Sequence, residues 1–311
     1  MSKGIESKAT VKARNARPER AAKRSAQGIL WSKIHPDRVA EFRKKCIDKR
    51  GGTGSAYTKI LDDARQPILI ESDNVAITSD WHLPFYDNDL VIRLFEAAAE
   101  HGTADLIIAG DFWDCDNYSK FTSMAESGSG ISQTFTGETE EVKKMLGRIL
   151  KIFTNVYICR GNHEKRWIDL NAGKMGMKEL FALARPSFMS EDAWDKRVTI
   201  TADDHINLLQ KNQKTGDMGL WLCCHPRNFR ITPLSVGRDL SAKHLCNVIV
   251  AHGHAFNQGR DRSGQFQVAD GGGLFERAAL DYTRETTCHP MTRSGFFILK
   301  NGVLMPFEGS A

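Results

Sequence analysis

From about residue 68 onward, short apolar runs alternate with longer amphipathic stretches. "NVAITSDWH" (74–82), "ADLIIAGD" (104–111) and "NVYICRGN" (155–162) are brief, rich in β-branched residues and broken by polar or glycine positions, which predicts strands. Between them, "DNDLVIRLFEAAAEHG" (87–102) carries apolar residues at helical spacing and stops at a glycine. "TGETEEVKKMLGRILKIF" (136–153) does the same after a start rich in Thr and Glu. The order β-α-β-α-β predicts an α/β layer of parallel strands, which places site residues at the strands' C-terminal ends. "RVTIT" (197–201), "GLWLCCH" (219–225), "NVIVAHGH" (247–254) and "GFFILKNGVLMPF" (295–307) predict further strands. The second half is therefore strand-rich, and a second sheet packed on the first is expected.

The pattern differs before residue 68. Residues 1–28 hold Lys, Arg, Ala and Ser with few large apolar groups and read as a flexible or weakly helical arm. Short helices are expected over 37–49 and 55–65, separated by "RGGTG". The chain thus divides into a basic N-terminal extension over 1–67 and a folded domain over 68–311. Charge sharpens that division. Residues 1–50 contain 15 Lys/Arg and 5 Asp/Glu, a balance of +10, which leaves −5 for the rest of a chain whose net charge is +5. A basic arm of this kind can track a nucleic-acid backbone, DNA or RNA, or it can be a solvated tether. The two short helices show no recognition-helix pattern that would mark a DNA-docking module.

Composition excludes some classes. Hydrophobic residues make up 41% and charged residues 26%, a globular balance, and no apolar run approaches the roughly 20 residues of a membrane span. No apolar segment follows the basic start as a secretory signal would require. Seven cysteines, without a CxxC pair and several within apolar strand-like runs, are expected as buried thiols in a reducing, cytoplasmic setting.

Chemistry gathers at the predicted strand ends. Asp80 and His82 form an Asp-x-His pair, Asp111 and Asp114 close "GDFWD", and Asn162, His163 and Glu164 follow Gly161. His225 ends "GLWLCCH", and His252 and His254 form a His-x-His pair. In extended chain, residues i and i+2 point the same way, so each pair can converge on one ion. Singly, an Asp at a strand end is usually a helix cap and a lone His a hydrogen-bonded one. Five recurrences in order point instead to a shared metal site. Oxygen and nitrogen donors without thiolate suit Mn, Fe or Zn.

In sequence order, "DWH", "GDFWD", "GNHE", "CCHP" and "AHGH" resemble the calcineurin-like metallophosphoesterases over roughly residues 74–256. The resemblance implies a mixed two-sheet β-sandwich flanked by helices, an α/β (α+β layered) fold, with two transition-metal ions at the strand ends. It implies that Asp80, His82 and His254 hold one metal, that Asn162, His225 and His252 hold the other, and that Asp111 bridges them. Two metals of this kind are divalent or trivalent, with Mn the usual choice in vitro. It further implies that His163 serves the phosphate and leaving-group oxygen, with Asp114 orienting its imidazole, and that the nucleophile is a metal-activated hydroxide. Arg160 stands before "GNHE" as in the Ser/Thr phosphoprotein phosphatases and is either a phosphate clamp or a surface arginine. Arg227, with Arg230, lies just past His225 and carries the same two readings.

The resemblance has departures. After Asp114 this chain reads Cys115-Asp116-Asn117, where Ser/Thr phosphoprotein phosphatases have Arg-Gly, and its terminal His-x-His points towards nuclease, phosphodiesterase and small-phosphatase branches. Residues 115–135 look like an insertion beside the metals, a candidate substrate lid, with "ESGSGISQ" (126–133) as its mobile loop. His225 has competitors in His205, His244 and His289, and Glu164 is a candidate second-sphere orienter. Lys165, Arg166 and Trp167 are expected only to begin a helix. The expected function is hydrolysis of a phosphate ester, either a nucleic-acid phosphodiester or a phosphomonoester of a small molecule or phosphoprotein. A non-catalytic scaffold would have lost ligands, and none is missing here.

Overall fold

The computed structural model describes residues 68–115, 134–171, 173–211, 218–228, 230, 232–277 and 292–309. The N-terminal extension, His289 and most of the 115–135 insertion lie outside the described residues. In chain order the first elements are β1 (Ile68–Glu71), β2 (Asn74–Thr78), α1 (Asn88–His101), β3 (Asp105–Ala109), α2 (Phe135–Ile152) and β4 (Asn155–Cys159). Then come α3 (Asn162–Leu170), α4 (Met177–Leu183), α5 (Glu191–Arg197), β5 (Val198–Ile200), β6 (His205–Lys211) and β7 (Met218–Cys224). The described chain closes with α6 (Ser235–His244), β8 (Asn247–Val250), β9 (Phe256–Arg260), β10 (Gln267–Gly271), β11 (Gly295–Lys300) and β12 (Val303–Glu308).

One sheet has the order β12-β11-β2-β3-β4-β5, parallel from β2 to β5 and closed at its other edge by an antiparallel hairpin. The reason is visible in β3. Leu106 and Ile108 pack under the helices while Ile107 and Ala109 face the other sheet, so the strand is apolar on both sides. The second sheet has the order β1-β6-β7-β8-β10-β9 and is also mixed.

Between the sheets lies a continuous core that includes Ile77, Ile107, Trp221, Ile249 and Phe297. Burial of each such side chain contributes about 1.5–3 kcal/mol. Helices α1, α2, α4 and α5 cover the outer face of the first sheet. Helix α6 covers the second through Val236 and Leu240, which pack on Leu222, Val248 and Val250. Both long helices begin and end where their sequences direct. Asp87 accepts the N–H of Leu90 at 3.0 Å and Thr134 accepts that of Gly137 at 3.1 Å, while Gly102 closes α1 at φ 63°. The architecture is the expected α/β sandwich of two mixed sheets flanked by helices. Among the described residues no helix is long and apolar enough to cross a membrane. The described cysteines, Cys115, Cys159, Cys223, Cys224 and Cys246, are buried free thiols.

Candidate metal centre

Every expected ligand lies just past a strand: Asp80 and His82 after β2, Asp111 after β3, Asn162 at the head of α3 after β4, His225 after β7, and His252 and His254 after β8. The pairs therefore do not converge through strand alternation, as the i, i+2 spacing suggests, because β2 ends at Thr78 and β8 at Val250. Left-handed backbone does the turning instead: φ is 49° at Asp80, 48° at His82, 49° at Asp111, 74° at His252 and 50° at His254. Each such residue costs roughly 1–2 kcal/mol, and strain of this kind gathers where the surroundings hold a site in shape. The holding is direct. Asp80 N donates to Gly110 O, His82 N to Asp111 O and Asp114 N to Leu83 O, which ties the first two loops together at 3.0–3.1 Å.

Two glycines make the approach possible. A Cβ at Gly110, whose φ is 80°, would sit 2.7 Å from His225 Nδ1. One at Gly161 would sit 2.0 Å from Asp111 Oδ1. The glycines of "GD" and "GN" are thus required by contact between neighbouring strand exits.

Two ligand groups result. In the first, His254 Nε2 lies 3.2 Å from both Asp80 Oδ1 and His82 Nε2, and the atoms of Asp80, His82 and His254 all fall within 4.8 Å of one another. In the second, Asp111, His225 and His252 meet the same limit, and His225 Nε2 faces Asn162 Oδ1 at 2.8 Å. A third triad, His82, Asp114 and His163, is a hydrogen-bond relay. Asp114 Oδ1 accepts from His82 Nδ1 at 2.7 Å and from His163 Nδ1 at 2.9 Å. Asp114 thereby orients both a candidate ligand and the candidate catalytic imidazole.

The second group fits a cation. His225 Nδ1 faces the carbonyl of Ala109 at 3.1 Å and so carries a proton, which in the neutral ring turns the Nε2 lone pair towards Asp111 and Asn162. Asp111 Oδ2 is fully buried without a hydrogen bond; His225 Nε2 stands 3.1 Å away but outside hydrogen-bonding geometry. Electrostatics agree. Burial pushes His225 down, yet Asp111, Asp80 and Glu164 outweigh it and raise the ring to about 10. Asp111 is held well below the usual carboxylate range, since the facing His225, His163 and His82 overcome its burial. His252 falls to about 4 through burial and the charge of His225. A cation among these donors would meet the unpartnered Asp111 Oδ2 and the Nε2 lone pair of neutral His225.

His163 occupies the first turn of α3, with its N–H on Asp111 Oδ1 at 2.8 Å and its Nδ1 also on the carbonyl of Asp114 at 2.8 Å. Its Nε2 is left facing the centre, 3.8 Å from Asp111 Oδ2. Burial lowers its pKa, but the Asp111 and Asp114 carboxylates raise it to about 9. Glu164 has a firmer structural place than its sequence suggests. Its two oxygens accept the backbone N–H groups of Asp111, Phe112, Trp113 and Gly161 at 2.8–3.2 Å, binding the "GD" loop to the "GN" turn. Burial and the Asp111 charge lift it to about 7 against the pull of those donors.

The remaining expected residues separate. Arg160 is half-buried and its charge helps to lower Asp204; Arg227 is exposed beyond His225. Arg230 pairs with Asp239 at 2.9 Å. His205 lies beside Asp204 at 3.1 Å, and His244 is exposed at the end of α6, so neither competes with His225. Two neighbours of the centre escape the sequence reading. Phe275 is fully buried with its ring 4.7 Å from that of His254. Arg166 does not merely begin a helix: its Nη2 stands 3.1 Å from His163 Nε2. The available signal was the i, i+3 spacing, which places Arg166 on the face of His163 once α3 is known to start at Asn162.

Fold and site together define an α/β sandwich with adjoining Asp/His/Asn clusters that can hold metal ions at one rim. The sequence model of the calcineurin-like phosphoesterase family matches residues 74–278, and the chain belongs to that family. Its structure is similar to that of the Yfce phosphoesterase from E. coli, with 12% identity over 74% of this chain and 90% of that one and a TM-score of 0.35. It is also similar to Vacuolar Protein Sorting 29 from Cryptosporidium parvum (13% identity, 77% and 98% covered, TM-score 0.37). A third similar structure is the Pseudomonas putida nuclease MPE (16% identity, 75% and 87% covered, TM-score 0.29). No curated protein matches the chain.

Proposed function

We propose that this protein is a binuclear-metal hydrolase of phosphate esters whose substrate is a nucleic-acid phosphodiester. The observation that carries the hydrolytic reading is the placement of His163 Nε2, 3.8 Å from the buried, unpartnered Asp111 Oδ2 between the two ligand groups. Asp80, His82 and His254 would hold one metal and Asn162, His225 and His252 the other, with Asp111 shared. Bound there, two ions of Mn, Fe or Zn would supply a nucleophile from water and offset charge on the phosphoryl oxygens. The chain's own part is positioning and proton handling. Asp114 pins Nδ1 of His163, so a proton carried on Nε2 is delivered to the leaving ester oxygen. Glu164 and the two glycines keep the "GD" and "GN" loops at the separation this needs.

The diester reading draws its support from the balance of +10 over residues 1–50, which suits a polyanionic substrate. In this account Arg227, exposed just past His225, and Arg160 are outer phosphate contacts. The test is a panel with Mn²⁺: a nitrophenyl phosphomonoester, its bis-nitrophenyl diester, and labelled DNA and RNA. Turnover of the diester and a nucleic acid above the monoester is expected. Preference for the monoester would replace the diester reading by a phosphomonoesterase, and no turnover of any member would contradict the hydrolase.

A further inference from the structure

We propose that Arg166 is a substrate-binding residue that holds the non-bridging phosphoryl oxygens beside His163; this rests on the hydrolase reading above. Arg166 lies one turn after His163 on α3, half-buried, with Nη2 3.1 Å from His163 Nε2 and Nη1 3.5 Å from the carbonyl of Asp114. Those are its only polar contacts among the described residues, and neither is a carboxylate. Other described cations have carboxylate partners: Lys165 has Asp169, Arg185 has Glu191, and Arg230 and Arg262 share Asp239. A guanidinium offers five N–H donors in a planar fork that matches two phosphoryl oxygens, and among the described residues most of the donor capacity of Arg166 is untaken.

The geometry also fixes the side of approach. Nδ1 of His163 faces Asp114, so Arg166 stands on the Nε2 side of the ring, the side that faces Asp111 Oδ2. A phosphoryl group reached by that nitrogen would therefore present its oxygens to the guanidinium as well.

The experiment compares the full-length wild type with Arg166→Met and Arg166→Lys, each loaded with Mn²⁺. Metal content and thermal midpoint are measured first, then inorganic phosphate binding by calorimetry and steady-state hydrolysis of the bis-nitrophenyl diester. Arg166→Met is expected to keep its metal, bind phosphate about 10–100-fold more weakly and lose kcat/KM to a similar extent. Arg166→Lys should recover part of the phosphate affinity. Phosphate affinity and kcat/KM within about twofold of wild type in Arg166→Met would overturn the proposal while leaving an active hydrolase in place. Equal loss of metal in both variants would also overturn it, making Arg166 a support of α3. A wild type that neither binds phosphate nor turns over any phosphate ester would remove the hydrolase reading and this proposal together.

Discussion

At the residue scale, Asp114 and His163 have separable duties. Asp114 Oδ1 accepts from His82 as well as from His163, so it touches both the first ligand group and the candidate catalytic imidazole. His163→Ala is expected to keep the metal complement and lose turnover by about 10²–10⁴-fold. Asp114→Ala should lose turnover and also weaken metal binding by about 10–100-fold, since His82 loses the partner that sets its ring. Metal titration and kinetics on the two variants check this, and equal metal affinities would refute the double role of Asp114. Residue identity made the centre legible in the sequence, because Asp, Asn and His after successive apolar runs serve few other purposes together. Two things were not legible. The left-handed backbone that aims Asp80, His82, His252 and His254 depends on contacts between loops. The contact of Arg166 with His163 depends on where α3 begins.

At the element scale, the junction of β10 and α6 holds a strained charge. Asp270, 8% exposed, accepts the N–H of Leu234 at 2.6 Å at the head of α6, and burial lifts its carboxyl to about 6. The folded state therefore holds this proton more tightly than the unfolded chain, whose carboxylate titrates near 3.9. Stability falls as pH rises from about 4 to about 6 and is level above that. Asp270→Asn keeps an acceptor for Leu234 and removes the charge. It should stabilise the protein by about 1–3 kcal/mol at pH 8 relative to its effect at pH 4, measured by urea unfolding. No difference between the two pH values would refute the account of this junction.

Elements differ in how plainly they announce themselves. β2, β3 and β4 are buried on both faces and read as apolar runs. β6 was hidden because "HINLLQK" buries only Ile206, Leu208 and Gln210, and β9, "FNQGR", is an edge strand with little apolar content. The need for a second sheet was legible from strand number, but its order was not, since register is set across the sandwich by Trp221, Ile249 and Phe297.

At the scale of the whole molecule, charge and chemistry are divided. The described domain carries the candidate centre, and the excess of +10 belongs to residues 1–50. If that segment tracks a phosphate backbone, removing residues 1–65 should weaken binding to DNA and flatten its dependence on salt, while turnover of the small diester persists. Binding across a salt series with single- and double-stranded DNA checks this. Identical slopes with and without the segment would leave it a tether.

The central claim is that Asp80, His82, Asp111, Asn162, His225, His252 and His254 hold two metal ions, with Asp111 common to both. Calorimetric titration of Mn²⁺ into metal-free protein tests it most directly, comparing wild type with Asp111→Ala. The account predicts two ions per wild-type chain and loss of tight binding at both sites in Asp111→Ala. One ion or none in wild type, or two tight sites surviving in Asp111→Ala, would contradict it.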